Sequence, residues 1–210
     1  YLINKLSSIF NNMIEFKSLY QETPYLIFKE KYDEAIDAGQ KNIEAIAISS
    51  YNKENNEVDS RFVNLKIVDD KKFIFFTNYN SPKSFAFSSH NQVSALLYWP
   101  SINFQIRMKA KINKTSKEYN NEYFKKRSIN KNALAISSNQ SAPIKSYEEV
   151  NKHYLNSLNS DNLSECPDYW GGYSFIPYYF EFWKGHDSRL NKRDIYKKVG
   201  DNWNHFILQP

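Results

Sequence analysis

The sequence predicts an α+β fold, an antiparallel barrel or sheet with helices set around it. Three observations carry this. From Glu44 to Lys114, apolar residues recur with a period of two through successive runs rich in Ile, Val, Phe and Tyr. Short helix signals interrupt those runs without a regular strand–helix–strand alternation. No internal repeat or long linker divides the 210 residues, a length that suits one domain with a good-sized core.

The elements follow in order. Leu2, Ile3, Leu6, Ile9, Phe10, Met13 and Ile14 recur at helical spacing and predict an amphipathic helix over 2–14. It belongs to an N-terminal helical extension, residues 1–22, ahead of a single domain over 23–210. Thr23 suits an N-cap, Pro24 a first helical position and Gly39 a C-terminal cap, around an apolar stripe of Phe28, Tyr32, Ala35 and Ile36. Glu44–Ser50, Ser60–Val68, Lys72–Asn78, Val93–Trp99 and Phe104–Lys114 read as strands, with a hairpin across Asp69-Asp70. Ser81 and Pro82 open a short helix, and Ser116–Arg127 and Ser146–Leu158 are further helices. Gly171-Gly172 leads into an aromatic strand, Tyr173–Trp183, broken by Pro177. Ile195–Val199 and Trp203–Leu208 close the chain as a hairpin across Gly200-Asp201.

Composition narrows the function classes. Aromatics are 17% of residues, so the core should be thick with rings, many carrying a hydroxyl that needs a partner. The net charge of +5 favours an anionic ligand, but Lys and Arg are interleaved with acids, which argues against nucleic acid. Cys166 is the single cysteine and His90, His153, His186 and His205 lie far apart, so no disulfide framework or metal site is expected. No apolar run approaches the ~20 residues needed to cross a bilayer, and the N-terminus lacks signal-peptide features. The expectation is a cytoplasmic protein with no membrane partner.

No nucleophile elbow, glycine-rich phosphate loop or zinc-protease motif is present. If the chain is an enzyme, a bound cofactor supplies the reactivity, and the protein supplies position and charge. The strongest local feature is Arg61-Phe-Val-Asn-Leu-Lys66, then Phe75-Phe-Thr-Asn78, then Ser81-Pro-Lys83. Cations on a strand followed by a helix N-terminus with Ser and Lys make a phosphate cradle. The ordinary alternative is a surface hairpin with solvated cations. On a flat strand, moreover, Arg61 and Lys66 would point to opposite faces. Tyr123, Arg127 and Trp183 likewise have plain packing or helix-end alternatives.

Several segments, in order, resemble the pyridoxamine 5′-phosphate oxidase family, the FMN-binding split β-barrels. They are Arg61–Lys66, Phe73–Asn78 with Ser81-Pro-Lys83, Leu96–Trp99 with Gln105, and Tyr123-Phe with Arg127. Ser138-Asn-Gln-Ser141, Trp170–Tyr173, Glu181-Phe-Trp183 and Arg189-Leu190 through Arg193 complete the set. The resemblance implies that Arg61, Ser81 and Lys83 hold the FMN phosphate near Thr77, with Phe62, Val63 and Phe76 alongside. Gln105 and Lys66 would approach the flavin ring. Gln140, Ser141, Trp183 and Arg193 would come from a second subunit, making a homodimer with FMN at its interface. Lys66, Tyr123, Arg127 and Lys131 would take the phosphate of a B6 vitamer. Arg189 and Asn191 would cover its pyridine ring as catalytic residues. The implied reaction converts pyridoxamine or pyridoxine 5′-phosphate to pyridoxal 5′-phosphate with oxygen, releasing hydrogen peroxide.

The chain departs from the family pattern at four positions. Pro82 stands for an Arg in the phosphate cradle, Phe76 for a Tyr, Asn191 for a His and Lys131 for a Ser. An N-terminal Arg-x-x-Tyr element is not evident. Asn191 can hydrogen-bond but cannot carry a charge. Two other readings stay open: a relative that oxidises another small aromatic substrate, as phenazine-pathway members do, and a flavin-binding protein with little oxidase turnover.

Overall fold

The computed structural model describes residues 13–160 and 162–210. The expected 2–14 helix lies outside the described residues except at Met13 and Ile14, which are not helical. Ten strands form one sheet: β1 (Glu15–Leu19), β2 (Ala45–Asn52), β3 (Glu57–Asn64), β4 (Ile67–Asp70), β5 (Lys72–Asn78), β6 (Gln92–Trp99), β7 (Phe104–Lys114), β8 (Trp170–Lys184), β9 (Lys192–Val199) and β10 (Asn202–Ile207). Around it lie α1 (Thr23–Asp37), α2 (Pro82–Ser89), α3 (Lys117–Lys126), α4 (Ile129–Ser137) and α5 (Tyr147–Ser160). The strand order is β1-β4-β5-β8-β7-β6-β2-β3, with β9 added to β8 and β10 to β9. β3, at the far end of that path, also contacts β5, so the sheet curls back toward closure. No helix among the described residues is long and apolar enough to cross a membrane.

The core lies inside this curl, with α1 laid across it. Phe28 and Ala35 are fully buried, and Tyr25 and Tyr32 nearly so. Their rings meet the sheet edge-on: Phe28 to Phe73 at 5.0 Å and Tyr25 to Phe180 at 5.2 Å. The polar tips are satisfied as well. The Tyr32 hydroxyl accepts from the Ile14 amide at 3.1 Å, and Trp99 Nε1 donates to the Ile43 carbonyl at 3.2 Å.

Four sequence expectations need correction. Ser60–Val68 is two strands, because the chain changes partner at Leu65–Lys66: the Leu65 amide bonds Glu44 and the Lys66 amide bonds Ile74. Glu15–Leu19, placed in the helical extension, is a strand that pairs in parallel with β4. Glu22, not Thr23, is the N-cap of α1, while Gly39 just beyond its end has the left-handed φ of +73°. Pro177 does not break β8. It falls where pairing with β5 has ended at Phe175 and pairing with β9 has not begun at Tyr179. A bulge opposite Lys109 and Ala110 absorbs the missing N–H there. Helix α4 was not anticipated.

Gly171 and Gly172 are required by close approach. The Gly172 amide donates to Asn120 Oδ1 at 2.9 Å and its carbonyl accepts from the Tyr79 hydroxyl at 3.0 Å. A Cβ at Gly171 would run into that hydroxyl and the Asn120 amide nitrogen. Gly171→Ala is therefore expected to cost roughly 1–3 kcal/mol, read as a lowered urea midpoint.

Candidate active site

Where β5 ends, the chain turns at once into α2, and this turn builds a buried cationic pocket. Lys83, on the first turn of α2, folds back so that its Nζ donates to Thr77 Oγ1 at 2.9 Å, Ser81 Oγ at 2.9 Å and Gln140 Oε1 at 3.2 Å. All three partners are neutral and Lys83 is only 8% exposed. Burial, helped by the nearby Arg61 guanidinium and opposed by Asp59, pulls its pKa down to about 8. Arg61 is held from β2 and β3 by the Ile48 carbonyl (3.2 Å), the Ser50 hydroxyl (2.8 Å) and an ion pair with Asp59. Gln140, expected from a second subunit, sits instead beside its own chain's Lys83, because the 138–142 turn packs on the end of β5. Its amide oxygen meets three converging donors: Thr77 Oγ1, the Asn78 amide and Lys83 Nζ. A point where three donors converge beside a buried cation is suited to an anionic oxygen.

A cavity of about 480 Å³ opens beside this pocket. Its lining includes Phe62, Val63 and Lys66 from around the β3–β4 break, Phe76, Thr77 and Lys83 from β5 and α2, Tyr123 and Arg127 from α3 and its end, and Lys131 and Gln140. The parity problem on the first strand disappears because the chain breaks at Leu65–Lys66, which frees Lys66 to turn inward. Tyr123 stacks on Phe76 with ring centres 3.6 Å apart, and Trp170 lies beyond Phe76 at 5.3 Å. The Arg127 guanidinium sits 4.4 Å over the Trp170 ring. Its Nη2 donates to the Lys131 carbonyl at 3.2 Å, but its Nη1 is buried with no partner. Burial lowers the pKa of Arg127 and Lys66 and raises the Tyr123 hydroxyl to about 12. Among the described residues no carboxylate pairs with Lys83, Arg127 or Lys131, and such a set calls for a ligand anion.

A larger depression, about 710 Å³, lies between α3 and the loop carrying Cys166. Of its two lysines, Lys117 is already paired with Asp168 at 2.7 Å and Lys125 shares the lining with Glu165, and none of the anticipated residues line it. The smaller cavity is the better candidate on charge.

Of the other anticipated residues, only Ser81 belongs to the Lys83 pocket. Ser81 is fully buried and its hydroxyl donates to the Asn78 carbonyl at 2.7 Å. Ser141 takes a left-handed φ of +70° on the exposed side of the 138–142 turn. Gln105, Trp183 and Arg193 form one cross-strand row over β7, β8 and β9. There Arg193 is fixed by Glu181 through Nε and Nη2, both at 2.8 Å, and by the Gln209 carbonyl at 3.1 Å. Arg189 is exposed with φ +61°, and Asn191 Oδ1 accepts from the His186 amide at 3.0 Å. Neither Ser81 nor any of the other six lines the cavity of its own chain. Sequence reasoning did not single out Glu44 under Lys66, Trp170 as the surface beneath Arg127, or Ser50 and Asp59 as holders of Arg61. Asp59 had a signal, since two residues apart on a strand share a face.

Comparison with known proteins agrees in extent and order. The family pattern described as Pyridoxamine 5′-phosphate oxidase matches residues 32–154. That of the Pyridoxine 5′-phosphate oxidase C-terminal dimerisation region matches residues 170–210. A pyridoxine/pyridoxamine 5′-phosphate oxidase of Cytophaga hutchinsonii is 35% identical over 193 residues, spanning 90% of this chain and 89% of that protein. One of Haemophilus influenzae (strain KW20) is 35% identical over 197 residues, 90% of each chain. Among solved structures, PhzG from Burkholderia lata 383 in complex with tetrahydrophenazine-1-carboxylic acid superposes with a TM-score of 0.82. It is 25% identical and matches 93% of this chain and all of that one. A related FMN-binding protein from Nostoc punctiforme, 11% identical, superposes with a TM-score of 0.74 over 90% of this chain and 99% of its own, and shares the fold.

Proposed function

The chain belongs to the pyridoxamine 5′-phosphate oxidase family, and from that premise we propose that it is an FMN-dependent oxidase of phosphorylated B6 vitamers. It would convert pyridoxamine or pyridoxine 5′-phosphate to pyridoxal 5′-phosphate with oxygen and release hydrogen peroxide. The observation that carries this reading is the pairing of two cationic sets around one aromatic-walled cavity. Lys83, with Arg61 near it though not in the lining, forms one set, and Lys66, Arg127 and Lys131 form the other.

The residues present fit FMN. Lys83 is a buried cation with only neutral partners, and a phosphate would supply the missing counter-charge. Lys83, Arg61 and the Thr77 hydroxyl would hold that phosphate, an oxygen of which would take the place of Gln140 Oε1. When bound, the flavin supplies the two-electron chemistry. The chain's own residues bind and orient. The unpartnered Nη1 of Arg127, with Lys66 and Lys131, would receive the substrate phosphate. Phe76 and Tyr123 exclude water from one wall. Gln105, Ser141, Trp183, Arg189, Asn191 and Arg193 line no part of their own chain's cavity. A homodimer formed through residues 170–210 would bring a second subunit's copies to it.

The test is direct. The purified chain should show a yellow flavin spectrum after loading with FMN. Mixed with pyridoxamine 5′-phosphate in air, it should form aldehyde and peroxide together. Flavin uptake without aldehyde would sink the B6 assignment. The second reading, oxidation of a reduced tricyclic aromatic acid, has support in the likeness to PhzG and in Asn191 where the family pattern has His. Turnover of tetrahydrophenazine-1-carboxylic acid in place of the vitamer would select it.

FMN binding should depend on pH through Lys83. Free of phosphate, its ammonium is complete only below about pH 8, and a bound phosphate raises that pKa. Affinity is then full below pH 8 and falls as pH rises above it, and binding near pH 9 takes up protons. Calorimetry of FMN binding at pH 9, in buffers of different ionisation enthalpy, should show that uptake.

A further inference from the structure

Glu44 precedes β2, is 3% exposed, and faces Lys66 with Oε1 3.9 Å from Nζ. Its Oε2 is buried with no hydrogen-bond partner. A carboxylate so thinly paired is costly to keep in a protein interior. Local structure does not need its charge. The chain is held here by backbone groups: the Leu65 amide to the Glu44 carbonyl at 2.8 Å, and Trp99 Nε1 to the Ile43 carbonyl. Glutamine would keep both.

What the carboxylate faces explains it. Lys66 lines the cavity together with Arg127 from the end of α3 and Lys131 from α4. These like charges repel one another, and Lys66 and Arg127 are in addition partly withdrawn from water. Glu44 opposes them from beneath, sealed from solvent and outside the cavity lining, so it can act on a ligand only through Lys66.

We propose that Glu44 is a positioning residue, the buried counter-charge that holds the Lys66 ammonium at the cavity wall to receive an anionic group of the ligand. This rests on the reading of the cavity as a phosphate-bearing substrate site. The charged groups around Lys66 are Glu44, Arg127 and Lys131, with Glu15 of β1 bonded through its amide to the Lys66 carbonyl. Burial, Lys131 and Arg127 lower the pKa of Lys66, and Glu44 raises it. Without the carboxylate, Lys66 gives up its proton at lower pH, and the anion affinity that needs the proton is lost from that lower pH upward.

The experiment compares the wild type, Glu44→Gln and Glu44→Asp as full chains. Trace acetylation of Lys66 from pH 7 to 11, read by mass spectrometry, gives its titration midpoint without any ligand. Calorimetry with pyridoxine 5′-phosphate over the same range gives the anion affinity. Glu44→Gln should lower the midpoint by about one unit and weaken binding by up to about tenfold at the alkaline end of the range, a gap that narrows as pH falls. Its melting temperature should equal or exceed that of the wild type, and Glu44→Asp should recover most of the midpoint. An unchanged midpoint, or a Glu44→Gln chain that melts earlier or fails to fold, would overturn the proposal by making Glu44 a structural residue. A wild type that binds no pyridoxine 5′-phosphate sinks the B6 reading, while the acetylation profile still decides the role of Glu44.

Discussion

Replacing Arg127 with alanine should raise the KM for pyridoxamine 5′-phosphate about a hundredfold, with flavin content unchanged. A lost charge-assisted hydrogen bond is worth roughly 1.5–3 kcal/mol, or about ten- to a hundredfold in binding. Arg127 is at the upper end because its unpartnered Nη1 is already desolvated and set in place over Trp170. Lysine should recover little of the loss, since an ammonium cannot lie flat on Trp170 while bonding both Lys131 and a phosphate. Steady-state kinetics on flavin-saturated protein decides this. A KM within threefold of the wild type would remove Arg127 from the substrate site.

Lys83→Met should have two opposite effects. FMN affinity should fall about a hundredfold, from the loss of one charge-assisted contact in the cradle. The flavin-free protein should become more stable at neutral pH. The sign follows from the shift in pKa. Folding takes Lys83 from an ordinary 10.5 down to about 8, so the unfolded chain holds the proton more tightly. Below pH 8 the folded state carries the whole penalty, about 3 kcal/mol, and it fades as pH rises from 8 toward 10.5. Urea denaturation of flavin-free protein at pH 7 should show the variant unfolding later. The advantage should shrink by pH 10. A variant that is less stable at pH 7 would mean that the three neutral partners already compensate the charge.

Much of this was legible in the residues. Lys72–Asn78 and Phe104–Lys114 were read to their last residue, because alternation with a buried face is a strong local signal and the strands keep one partner along their length. The Ser81-Pro82 helix start and its cationic cradle were equally local. Where partners change, local signals fail. Residues 60–68 keep a continuous apolar pattern although the chain leaves β2 for β5 midway. Pro177 reads as a break, but the sheet around it leaves that position without a second neighbour. Helix α4 opens on Ile129 and Asn130, residues with weak helix signals, and it is anchored from outside by Asn132, which donates to the Phe124 and Leu163 carbonyls.

The same division holds for the site. By itself the sequence determined the kinds of residue at the cradle and the fold that would carry them, because both are written in short ordered segments. Only the tertiary structure decided which of them meet. It turned Lys66 inward at a strand break and set Arg127 on a tryptophan 43 positions away in the chain. It kept the row of Gln105, Trp183 and Arg193 out of the cavity. The structure also placed an unforeseen carboxylate, Glu44, beneath the lysine. Burial and charge coupling depend on distances across the folded chain, and no residue's immediate neighbours contain them.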